Sequence, residues 1–169
     1  MSDNLIIGLF FGGGFGVLTT YMILASSGLG GKMLNVFNAN TWKLWSVSMI
    51  ATVASVLGLY SYFGFKEPMD DGWARNLFIV STCLFLAFAM IWSYSISRLM
   101  FGGEIYLEKI ALAIVALATI GILIATVNQT DNALVITAAS IIVFHHVIWD
   151  FLVWGSNATK QTMKIKNRQ

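Results

Sequence analysis

The chain has 169 residues, 57% of them hydrophobic and 11% charged, with a mean hydropathy of +0.76 and a net charge of +2. A water-soluble domain carries charge on roughly a quarter of its residues, so the main solvent of this chain is lipid. No Lys/Arg-rich groove interleaved with aromatics is present, which argues against nucleic acid, and the lone Cys83 excludes an intrachain disulfide or a cysteine-pair metal site.

The pattern predicts an all-α integral membrane bundle of five transmembrane helices, at about 5–25, 45–65, 76–98, 106–127 and 132–155, followed by a basic tail at 156–169. The first apolar run lacks a basic leader region and is longer than a signal-peptide core, so it reads as a retained span. Gly8, Gly12 and Gly16 recur every fourth residue within it, a ridge suited to close helix approach. No GK[ST] follows those glycines, so a phosphate loop is a poor fit. Glycines 28, 30 and 31 then break the helix, and Trp42 and Trp45 close a stretch suited to the membrane interface.

In the second span, Ser48, Thr52 and Ser55 share one face and are candidates for a polar lining. The bland alternative has each hydroxyl bonding a carbonyl of its own helix. Pro68 and the Asp70-Asp71-Gly72 turn mark a short polar loop. The third span ends at Arg98, which either snorkels to the headgroups or turns inward to a carboxylate such as Glu104 or Asp150. Ala118 and Gly121 belong to a small-residue row in the fourth span, a second surface for tight packing. The connection at 128–131 is so short that spans four and five must be antiparallel neighbours.

The fifth span is chemically the richest, because His145, His146, Trp149 and Asp150 lie inside an apolar run. Ionisable groups within a span are costly and mark functional sites by default. On an α-helix, His146 would stand one turn from Asp150, and His145 one turn from Trp149. The His146/Asp150 pair is then expected to hold one exchangeable proton near neutral pH. The spacing His145-x-x-x-Trp149 resembles the histidine and tryptophan of the influenza proton channel, which act as proton selector and gate. That resemblance covers five residues and is one of chemistry, and the acidic residue here follows the tryptophan by one position.

Adjacent histidines project about 100° apart on a helix, so they cannot be the two axial ligands of one haem. A metal at His146 and Asp150 would need a third ligand from Glu104, Glu108 or another subunit, and no HExxH or paired ExxH motif is present. No lysine occupies mid-span for a retinal Schiff base. No metal, cofactor or catalytic residue is therefore expected, and an enzyme is the less favoured class.

The leading expectation is a small channel or transporter handling protons or cations through His146/Asp150. The alternatives are a non-catalytic structural or assembly subunit of a larger membrane complex, and a membrane-embedded lipid- or sterol-binding protein. Expected partners are the lipid bilayer and either further copies of the chain or other membrane subunits. Lys32, Lys43, Arg98, Lys109, Lys160, Lys164, Lys166 and Arg168 fall on one side of the five-span arrangement, with only Lys66 and Arg75 on the other. That imbalance predicts an amino terminus outside and a carboxyl terminus in the cytoplasm.

Overall fold

The structure, a computed structural model, describes residues 3–26, 39–100 and 106–157, without the side chains of 21, 24, 25, 39 and 96–100. The Arg98 side chain, Glu104, the glycine-rich first loop and the basic tail lie outside what is described.

Every described element is helical. Hydrocarbon offers no partner for backbone N–H and C=O groups, so an apolar chain satisfies them within its own helices. Helix α1 covers residues 4–26 and contains one π-helical turn, Leu9–Gly13. Helix α2 covers 39–66 and ends in the π-turn Tyr62–Lys66. Helix α3 is Trp73–Met100 and α4 is Tyr106–Val127. Helix α5 begins as Ala133–Phe144, capped by the Asn132 side chain, and continues as a ten-residue π-helix, His145–Trp154.

Four stretches are long and apolar enough to cross a membrane: Asn40–Lys66, Trp73–Ser95, Tyr106–Val127 and Ala133–Asn157. The apolar part of α1, Asn4–Thr20, is shorter. Together they make a multi-pass membrane bundle whose outer face is greasy. Phe15, Ile50, Leu117 and Leu134 are exposed by 72%, 71%, 68% and 81%, which places them in contact with lipid.

Helix α4 is central, packed along α3 and also touching α5. Its closest approach is at Gly121, where an added Cβ would overlap Ser81 Oγ, and Ala118 is buried nearby. Small side chains let backbones meet in lipid, where packing rather than water drives association. Helix α1 leans on α3 through Gly16, one of the three expected glycines, and through the neighbouring Gly13. A Cβ at Gly13 would overlap Leu86 Cδ1, and one at Gly16 would lie 3.2 Å from Met90 Sδ. Gly8 and Gly12 face open space.

One end of the bundle is laced together by polar contacts. Asp3 accepts from the backbone N–H groups of Leu5 and Ile6 and from Arg75 Nε at 3.0 Å. Gln129 clasps the 66–72 loop, accepting from Asp70 N and donating to Asp70 O. Tyr62 donates to Glu67 and bonds Thr130. The core runs inward from this end through Leu59, Phe63, Phe78, Ile122 and Ile142.

Candidate functional site around Asp150

Away from that end stands Asp150, whose neighbour His146 packs on Phe85, about ten residues along α3 from Arg75, or ~15 Å at ~1.5 Å per residue. The π-helix decides what surrounds it. Gly155 N–H bonds the Asp150 carbonyl, five residues back, which fixes the i→i+5 register of this segment. In that register His145 faces Asp150 instead of Trp149, and His146 remains within reach one position on. His145 Nε2 lies 3.5 Å from Asp150 Oδ1 and His146 Nε2 lies 3.9 Å from Oδ2. The carboxylate therefore sits between two imidazoles, where α-helical spacing had paired it with one. Trp149 is half-buried. Long π-helical stretches are rare and concentrate at functional sites.

Neighbouring helices hold the three side chains. Trp45 of α2 donates its indole N–H to Asp150 Oδ1 at 3.1 Å, so a tryptophan assigned to the interface by sequence belongs to the site. Ser48, one turn on, is 2.9 Å from His145 Nδ1. His146 Nδ1 is 2.8 Å from the Ile142 carbonyl. A carbonyl only accepts, so this nitrogen carries a hydrogen and a neutral His146 turns its lone pair towards Asp150. His145 Nε2 is fully buried and lacks a hydrogen-bond partner among the described residues. Phe85 packs edge-on to His146, with ring centroids 5.0 Å apart.

The hydroxyls expected to line a polar path behave otherwise. Ser48 joins the cluster, whereas Thr52 donates to the Ser48 carbonyl of its own helix. Ser55 is buried. Ser93, Thr119 and Thr126 likewise bond carbonyls three or four residues earlier.

What adjoins the cluster is a cavity of about 690 Å³, open on one side and bounded by α1, α2, α3, α4 and the His146–Asp150 turn of α5. Its walls are apolar: Phe10, Phe15, Val56, Leu86 and Val115 are representative. His146 and Asp150 form one end, and Tyr60 lines the far part, its hydroxyl bonded to Thr82. No Lys or Arg is among the described lining residues. The volume falls within the range of small-molecule sites, roughly 300–1,000 Å³.

Glu108, named from the sequence only as a possible third metal ligand, stands apart from the cluster. It is 1% exposed, accepts from Trp154 Nε1 at 2.8 Å, and its Oε2 has no partner among the described residues. The rings of Trp45, Trp92 and Trp154 stand between this carboxyl and Asp150. The available signal was an acidic residue in the first turn of an otherwise apolar span. Among the described residues, no three His, Cys, Asp or Glu side chains converge as a metal site. No protein family, curated protein or solved structure matches this chain.

Proposed function

We propose that this multi-pass membrane protein binds a lipophilic molecule within the bilayer, with Asp150 and His146 receiving its polar end. The observation that carries the reading is the cavity of about 690 Å³, apolar along its walls and polar at one end. Ligand sites have this composition: apolar surface supplies affinity and a few placed polar groups fix orientation. The cavity follows α2 from Met49 to Tyr60, a length of about 16 Å at ~1.5 Å per residue. That suits an extended acyl or alkyl chain or a small polycyclic molecule. Because the groove lies within the helices' apolar region, entry from the membrane is the natural route. The test is native mass spectrometry of the full chain released from nanodiscs, beside binding of dodecylamine, dodecanol and dodecanoate. Val56→Trp, which fills the cavity without touching Asp150, should reduce binding at least tenfold. A wild type that carries no adduct and binds none of the three probes would sink the reading.

Proton or cation transport through His146 and Asp150 is the second reading, supported by the His146 lone pair turned on a carboxylate. A proton between the two would relieve that opposition, and histidine exchanges protons near neutral pH. A transport path also needs polar groups beyond the cluster, and the Thr52, Thr119 and Thr126 hydroxyls are engaged by their own helices. Proton uptake into liposomes across pH 5 to 8 decides it. Wild-type flux equal to that of empty liposomes, under both signs of membrane potential, removes transport as an activity.

A further inference from the structure

The ligand's class follows from the charge and donor balance at the cavity's polar end, given that the cavity is a binding site. We infer that the site takes an amphiphile with a protonated amine head.

The donor balance comes first. The separation of 3.9 Å between His146 Nε2 and Asp150 Oδ2 is too wide for a hydrogen bond. It matches one atom placed about 2.8 Å from both, off the line between them. With Nδ1 committed as a donor to Ile142, both facing atoms are acceptors when His146 is neutral. The bridging atom must then donate twice. An ammonium has three hydrogens and does so with one to spare; an alcohol has one and leaves an acceptor unmet.

Charge comes second. Ionised Asp150 with two neutral imidazoles gives the site one net negative charge in a low-dielectric region, which is costly. An ammonium head cancels that charge, and a neutral alcohol leaves it uncancelled. An anionic head would face Asp150 with no Lys or Arg among the described lining residues to receive it. Fatty acids and phosphate-headed lipids are rejected on that ground.

Other titratable groups on the packed helices do not supply the missing charge. Lys43 on α2 is exposed, as is Cys83 on α3. Glu108 on α4 is engaged by Trp154, and Lys109 beside it is exposed. Tyr60 lies at the cavity's far part, bonded to Thr82. Within the cavity wall, Trp92 and Phe85 add aromatic surface on which a cation is favourably held.

The test uses the full chain in nanodiscs and isothermal titration of dodecylamine, dodecanol and dodecanoate at neutral pH. The expected result is dodecylamine bound at least tenfold more tightly than dodecanol, and dodecanoate not bound. Asp150→Asn should bring dodecylamine down to the dodecanol level, which also measures non-specific partition into the bilayer. Dodecanol or dodecanoate binding as tightly as dodecylamine overturns the inference while leaving the cavity a binding site. Failure of all three probes overturns the binding reading itself. The probe comparison is made on the wild type, so it stands even if the Asp150→Asn protein folds poorly.

Discussion

Two carboxylates, one at each end of the bundle, are buried to nearly the same degree and are treated oppositely. Asp3 is 8% exposed and Asp150 is 9% exposed. Asp3 receives two backbone N–H groups and two from the Arg75 guanidinium, so its lone pairs are met and its charge is cancelled. Asp150 receives one indole N–H and then faces two imidazole nitrogens at 3.5 and 3.9 Å, beside a cavity. A buried charge with all its partners in place is a structural device. One left partly unmet beside open space is what the proposed binding site requires. Unsatisfied buried polar groups cost stability, so their persistence at one end and not the other separates scaffold from site.

The largest expected effect lies at the scaffold end. Arg75→Ala strips a charged partner from Asp3 while leaving the backbone donors, and should cost roughly 2–3 kcal/mol. A thermal melt in detergent reads it, and no loss would mean that Asp3 is not structural. The same lock gives stability a pH dependence. Burial alone would raise the Asp3 carboxyl, but the Arg75 hydrogen bond and the Ile6 and Leu5 N–H groups outweigh it, and its folded pKa is lowered. A lowered folded pKa stabilises the fold above the unfolded value of about 3.9 and loses that contribution as pH falls through the folded value. The melting temperature of the wild type should therefore drop more on acidification below about pH 4 than that of Arg75→Ala.

Next in size is the packing between the ends. Gly121→Leu drives a side chain into Ser81 and should cost about 1–3 kcal/mol by overpacking, while Gly12→Leu, which meets open space, should be tolerated. If the two variants melt alike, α4 and α3 are not held by that close approach.

The helical class, the span pattern and the chemical weight of the fifth span were legible because hydropathy and spacing record them locally. His145, His146 and Asp150 could be named from the run itself. Their mutual arrangement could not, since sequence spacing was converted to geometry with α-helical periodicity and α5 departs from it at His145. In α1 the face against α3 carries Gly13 and Gly16, where four-residue spacing had placed Gly8 and Gly12 beside Gly16. The other unread features are long-range. Trp45 bonds a residue 105 positions away, and the cavity is a property of five helices at once. Nothing within a single span encodes either.

The smallest stability effect is expected where the functional effect is largest. Asp150→Asn keeps the size of the side chain and an oxygen to accept from Trp45, and removes the negative charge. The amide hydrogens can also donate towards His146 Nε2, which a carboxylate cannot do. Replacing a buried, incompletely compensated charge with a neutral group is often neutral or stabilising, here by roughly 0–2 kcal/mol. The variant should therefore melt at or above the wild-type temperature, whereas Asp3→Asn, which discards the Arg75 pairing, should melt below it. Both proteins are measured in the same detergent at neutral pH, without added ligand. A site and a scaffold then give shifts of opposite sign from the same chemical change. If Asp150→Asn destabilises as much as Asp3→Asn, the carboxylate between the histidines is holding helices together. The contrast between the two ends would then lose its meaning.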